Sequence, residues 1–220
     1  MGCAANNPQT TQTTVKQFRA ILIGPPGVGK GTQCDLLKNK VEYSHVSTGD
    51  LVRAEIKNNT EIGQQIKQIT ENGGLVPDLT IEQLLKNHFK SLPPNHSWLL
   101  DGFPRTEEQA KFLTGEHFDV THVIEMQGDE AEITERLGGR LFDPETGSTY
   151  HKTNNPPPAD IAARCIIRKD DSPEVIAQRF QVFRESAEAI RKQFGSLVKK
   201  VETKGKSIKE IEEQIQKILM

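Results

Sequence analysis

The ten residues GPPGVGKGTQ, Gly24 to Gln33, follow the apolar run FRAILI and precede a helix-like stretch. Glycines let successive backbone N–H groups turn inward on an anion, and a helix N-terminus adds the positive end of its dipole. Lys30 supplies a point charge for the outer phosphates. Against the general phosphate-loop pattern G-x-x-x-x-G-K-[ST], Gly24, Gly29 and Lys30 fit, Gly31 stands where the hydroxyl residue belongs, and Thr32 comes one later. A ligand-free glycine turn is the alternative; the apolar strand before it, the lysine and the helix after it weigh against that. A second candidate is Arg105, in the turn DGFPR at the end of the run SWLLDGF. Open α/β sheets bind ligands beyond the carboxyl ends of their strands, and an arginine's planar fork grips phosphate oxygens in pairs. The chain carries further arginines, none of which the residues alone single out. Taken alone, Arg136 reads first as a solvated helix charge paired to Glu132, and Arg179 is ambiguous in the same way. Moving a phosphoryl group between two polyanions needs positioning and charge stabilisation rather than a protein nucleophile. Asp101, at a strand end, is a candidate partner for Mg²⁺, directly or through water. A structural hydrogen bond to the loop is its other reading. The missing hydroxyl after Lys30 fits a metal held mainly by phosphates and water.

These residues need strands and helices to position them. FRAILI reads as a buried first strand, followed by a helix from about Gly29 to Lys40. STGDLVRAEI starts a helix with Ser47 or Thr48 near its N-cap, and Thr80 with Gln83 forms a capping box. SWLLDGF (97–103) and VTHVIEM (120–126) read as strands. Ser172 caps a helix with Pro173 at its first position. The last helix carries Ile208, Ile211, Ile215 and Ile218 as one apolar stripe, with Ser207 and Glu210 as a capping box. Strands alternating with helices predict an α/β fold with a mainly parallel central sheet. Residues 141–165, with turn residues and three consecutive prolines, read as a small inserted lobe, and residues 1–16, rich in Asn, Gln and Thr, as a flexible arm.

Composition narrows the partners. The 220 residues carry 28 basic and 30 acidic side chains, a net charge of −2, without the basic surplus of a nucleic-acid binder. Mean hydropathy is −0.56, and no apolar run approaches the roughly 20 residues of a membrane span, so a soluble, cytoplasmic chain is expected. The polar start shows no secretory signal. Three cysteines, Cys3, Cys34 and Cys165, without a CxxC pair, argue against a disulfide framework and a thiolate zinc site, and fit a reducing compartment.

GPPGVGKGTQ resembles the loop of nucleoside monophosphate kinases, and of adenylate kinases in particular. DGFPRTEEQ (101–109) and STGDLVR (47–53) look like the two halves of that family's monophosphate site. GRLFDPETGSTYH, NNPPP and RKDD are similar to the mobile lid of the long-lid adenylate kinases. The matches run in order from about Phe18 to Arg179. The resemblance implies a P-loop kinase three-layer fold with a core of 17–46, 77–138 and 172–220, an AMP-binding segment of 47–76 and a lid of 139–171. It implies Mg²⁺-dependent transfer from ATP to AMP, giving two ADP, by a monomer. Gly27, Gly29, Lys30, Gly31, Thr32, Arg136, Arg140 and Tyr150 would bind ATP. Arg53 and Arg105 would hold the AMP phosphate, Thr48, Gly102 and Gln109 would read its base or the surroundings, and Leu75 and Val76 would line that pocket. Arg140, Arg168 and Arg179 would meet the transferring group, with Lys30, Asp101 and Arg105 completing the catalytic set. Asp170 and Asp171 would clamp the lid arginines or act as a helix-start charge pair. Gly138 and Gly139 would be a hinge or a helix stop, and His151 a lid-packing residue or a neighbour of the donor base.

The lid departs from that pattern. PADIAARCII is shorter than in long-lid relatives, which leaves GTP open beside ATP as donor. Asp143 and Thr146 stand where some relatives carry zinc ligands, so no zinc site is expected. Thr106, where UMP/CMP kinases usually carry Asn, favours AMP as acceptor. MGCAANN looks like an N-myristoylation start at Gly2 with a palmitoylation site at Cys3, although Asn6 replaces the preferred Ser or Thr. Membrane contact through the acylated arm is then expected, an unmodified tail being the alternative. The competing functions are a non-catalytic nucleotide sensor and a phosphate-releasing ATPase or GTPase switch. The second leaves the DGFPR turn unexplained.

Overall fold

The computed structural model describes residues 17–72, 74–115 and 118–220; the arm read over 1–16, with Gly2 and Cys3, lies outside them. Strand β1 (Arg19–Ile23) is buried over its last four residues, as its unbroken apolar run requires. Helix α1 (Lys30–Lys38) starts straight from the glycine loop, with Gly29 at its N-cap. Strand β2 (Ser44–Ser47) runs into α2 (Thr48–Lys57), whose cap is Ser47 accepting from the Asp50 N–H. Helices α3 (Glu61–Glu71) and α4 (Asp78–Lys90) follow, then β3 (Trp98–Asp101), α5 (Glu107–Gly115), β4 (His122–Gln127) and α6 (Glu130–Gly138). The hairpin β5 (Arg140–Phe142) and β6 (Thr149–His151), the single turn α7 (Ala159–Ala162) and a 3₁₀ turn (Lys169–Asp171) lead into the long α8 (Pro173–Phe194). Strand β7 (Val198–Glu202) and α9 (Ile208–Leu219) close the chain.

The five-stranded sheet has the order β2-β3-β1-β4-β7 and is parallel throughout, so the fold is α/β with a central parallel sheet. Successive strand residues point to opposite faces. Leu22 therefore packs with Leu37, Met126, Phe180 and Ile215 on one side, while Ile21 and Ile23 pack with Leu85, Phe103, Leu113 and Phe194 on the other. Register decides function here. Asp101 pairs with Leu22 on one side and Ser47 on the other. The glycine loop after β1, the DGFPR turn after β3 and the start of α2 after β2 thus leave the same carboxyl edge side by side.

Two expectations need correcting, and two strands were not anticipated. Thr80 and Gln83 form no capping box: α4 already begins at Asp78, with Pro77 in the N-cap position, so Thr80 lies inside the helix. Ile208 is half exposed, because the stripe of α9 that meets the sheet is Ile211, Ile215 and Leu219. Strands β2 and β7 went unread in the sequence; both are edge strands, and each buries a single valine, Val46 or Val201. Ser172 caps α8 by accepting from the Val175 N–H, with Pro173 in the first turn, and Ser207 and Glu210 cap α9 reciprocally. Outside the main sheet, β5 pairs antiparallel with β6, and Phe142 bridges to Ile166.

Candidate active site

The loop between β1 and α1 closes around Lys30, whose ammonium donates to the carbonyls of Gly24 and Pro25, each at 2.9 Å. Gly27 has φ +76°, and a Cβ there would lie 2.5 Å from Leu137 Cγ, so the loop can turn over α6 only with glycine at this position. Burial pushes the Lys30 ammonium down to about pKa 8, with Asp101 opposing and Arg105, Arg179 and Arg140 adding to the drop. The groups acting on Lys30 are thus the acid and the arginines that the sequence singled out.

At the end of β3, the turn from Gly102 to Arg105 contains a cis Phe103–Pro104 peptide. Arg105 donates Nε to the Gly102 carbonyl at 2.6 Å, and its own N–H is accepted by Gln109 Oε1 at 2.7 Å. Gln109 Nε2 donates in turn to Asp78 Oδ1 at 2.7 Å. Both ends of that buried amide are engaged, so Gln109 orients Arg105 and retains one hydrogen for a ligand. Burial, with Arg179 nearby, lowers Arg105 to about pKa 10, still protonated at neutral pH. Asp101 Oδ1 is buried and has no hydrogen-bond partner among the described residues. An oxygen of this kind beside a phosphate loop fits Mg²⁺, and Gly31 contributes no hydroxyl to compete with it. The Asp101 carbonyl, meanwhile, accepts from Thr48 Oγ1 at 3.2 Å.

The remaining arginines are held from the small hairpin and α8. Arg140 forms a two-pronged pair with Asp171, with Nε to Oδ2 at 2.7 Å. Arg179 donates to Asp170 Oδ2 at 2.6 Å and lies 3.8 Å from Asp171. The two acids therefore hold arginines, while Ser172 caps the helix. Arg168 stacks over the Phe142 ring at 4.3 Å from its centroid, and Arg53 approaches that ring at 5.6 Å. Burial and the like charges of Arg53 and Arg140 lower Arg168 to about pKa 9. Arg53 Nε and Arg168 Nε are buried donors without an acceptor among the described residues.

Between these groups lies a cavity of about 350 Å³. Of the expected residues, Thr48, Arg53, Leu75, Val76, Gly102, Arg105, Gln109, Arg168 and Arg179 line it. Lys30, Asp101 and Arg140 do not, but they act electrostatically on one another or on these arginines. Arg136 is exposed beside the loop; a Cβ on Gly29 would lie 3.9 Å from its Nη1. Thr32 is exposed in the first turn of α1, and Tyr150, half-buried on β6, is not among the cavity-lining residues. Sequence reasoning missed Phe142, the ring that Arg53 and Arg168 both approach, and Asp78, the anchor of Gln109. Phe142 lies inside the quoted stretch GRLFDPETGSTYH but is given no role there, Asp78 belongs to no quoted pattern, and only the fold brings them in.

Two further placements explain the hairpin. Asp143, buried, accepts from Arg164 Nε and Nη2 at 2.9 and 2.7 Å and from Thr146 Oγ1 at 2.7 Å. Arg164 holds the Asp143 carboxyl well below the usual carboxylate range. Gly139 ends α6 with φ −100°, and a Cβ on it would lie 2.3 Å from His151 Nε2, so the glycine admits the histidine ring.

A model of the family described as "Adenylate kinase" matches residues 22–199. The chain is 41% identical over 203 residues to an adenylate kinase of Giardia intestinalis, covering 92% of this chain and 82% of that relative. It is 42% identical over 174 residues to an adenylate kinase of Coxiella burnetii, covering 76% and 75%. To an adenylate kinase of Trichomonas vaginalis it is 41% identical over 177 residues, covering 76% and 77%.

Proposed function

The chain belongs to the adenylate kinase family and is a nucleoside monophosphate kinase, and from that premise we propose that it transfers the terminal phosphoryl group of ATP to AMP, giving two ADP. The observation that carries this reading is the shared carboxyl edge. Lys30 on the glycine loop and Arg105 on the DGFPR turn leave neighbouring parallel strands and interact electrostatically, with a cavity of acceptor size beside Arg105. The donor's phosphates lie along the loop from Gly27 to Thr32, against the N-terminus of α1. Arg53 and Arg105 take the AMP phosphate, and Thr48, Leu75, Val76, Gly102 and Gln109 surround its base. Arg140, Arg168 and Arg179 face the transferring group, where fixed positive charge offsets the repulsion of the two anions. Mg²⁺, when bound, neutralises charge on the donor phosphates, with Asp101 as its protein partner. Residues 139–171 act as a lid and 47–76 as the AMP-side segment. Their contact across Phe142 excludes water, the most abundant competing acceptor. The Asp143–Arg164–Thr146 network holds the hairpin where some relatives would carry a metal.

A coupled assay of ADP formation from AMP with ATP, GTP or no donor tests this. ADP from ATP and AMP is expected, with GTP weaker; binding of both nucleotides without product would favour the sensor reading. No helix among the described residues is long and apolar enough to cross a membrane. Membrane residence therefore rests on acylation of Gly2 and Cys3, since one myristoyl chain alone binds only at about 10⁴ M⁻¹. Intact mass of protein from its native cell is expected to carry the acyl group, and an unmodified mass would remove that part.

A further inference from the structure

We propose that Cys34, His45 and Asp101 form a binding site for a soft divalent cation, with Zn²⁺ the best match, under the phosphate loop. His45 pairs with Leu99 across β2 and β3, and Asp101 lies two residues beyond Leu99. His45, Leu99 and Asp101 therefore share one sheet face, the face on which Leu99 packs with Cys34 of α1. A ligand atom from each of the three, sulfur, ring nitrogen and carboxylate oxygen, lies within 4.8 Å of the other two. His45 Nε2 and Asp101 Oδ1 are both buried and have no hydrogen-bond partner among the described residues. Two orphaned polar atoms beside a buried thiol demand an explanation, because buried polar groups are nearly always paired.

The donor set selects the ion. One sulfur, one imidazole and one carboxylate suit zinc, whereas Mg²⁺ and Ca²⁺ take oxygen ligands. Zinc bonds of about 2.0–2.3 Å in a tetrahedron place ligand atoms about 3.5 Å apart, so the three side chains need to close by about 1 Å. Burial favours the neutral imidazole of His45, the form that ligates. The Cys34 thiol gives its proton to the buffer as sulfur bonds the metal, about one proton per cation. Three protein ligands leave a fourth position for water. Such a cation would take Asp101 Oδ1, the same oxygen that faces the Mg²⁺ role.

Co²⁺ titration of the full chain in the presence of a competing chelator tests the site without reading turnover. The wild type and Cys165→Ala are expected to bind about one cobalt with a thiolate-to-cobalt charge-transfer band that excess Zn²⁺ removes. Cys34→Ala is expected to lose the band, and His45→Gln, which keeps the thiol, to bind more than tenfold more weakly. Absence of the band from the wild type, or its persistence in Cys34→Ala, overturns the proposal and leaves the three side chains as packing alone.

Discussion

Lys30 concentrates the chemistry of the site in one proton. Burial among arginines brings its ammonium to about pKa 8, against an ordinary value of 10.5. The charge proposed to grip phosphate is therefore present below about pH 8 and lost above it. The sign for folding is opposite. Between about 8 and 10.5 the unfolded chain binds more protons at this lysine than the folded one, so its contribution to stability rises with pH over that window. We expect kcat/KM for ATP to fall above about pH 8 without a matching loss of stability from this group. Lys30→Ala should fold, lose roughly 10³-fold in turnover by analogy with charge-supplying arginines, and show no limb near pH 8. A limb surviving in that variant would assign it to another residue. Lys30 and Arg105 were legible in the sequence because each sits in a dense local pattern. Gln109 was legible as a site residue, but its engagement with Asp78, 31 positions away, was not.

The hairpin and α8 show how an element is fixed by charge. Arg140 begins β5 and Asp171 precedes α8, so their pair ties the two ends of the 139–171 segment together. The Asp171 side chain is fully buried and that of Arg140 is 15% exposed. Removing one partner of a buried pair strands the other charge. Asp171→Asn is expected to cost up to about 3 kcal/mol in urea denaturation and to free Arg140 from its position. A variant within about 0.5 kcal/mol of wild type would show the pair to be solvent-screened. Helix starts at Ser47, Ser172 and Ser207 could be read from the sequence because a cap is a local signal. The edge strands β2 and β7 could not, because SHVS and VKKVE set polar residues among few apolar ones and lack the unbroken apolar run that marks β1.

At the scale of the molecule, a net charge of −2 conceals a local excess of cations. Arg53, Arg105, Arg168 and Arg179 converge on one cavity, and of the acidic residues that line it Asp170 pairs with Arg179 and Glu71 with Lys169. The segment 139–171 meets α2 and α3 through few polar contacts, Lys57 to the Pro144 carbonyl at 3.0 Å and Lys169 to Glu71 at 2.8 Å. An exposed ion pair such as Lys169–Glu71 is worth about 0.2–1 kcal/mol, weak enough for the lid role proposed for this segment. The α/β class and parallel sheet followed from the alternation of apolar runs with helical periods. The meeting of Arg53 and Arg168 at the Phe142 ring did not, because the three residues come together only after the fold has formed. The destination of the terminal phosphoryl group decides the function. Purified full chain with Mg²⁺, AMP and ATP labelled in its terminal phosphate should place the label in ADP, in step with AMP consumed. Label released as inorganic phosphate, independently of AMP, would contradict it and leave a hydrolase in which the DGFPR turn has no substrate.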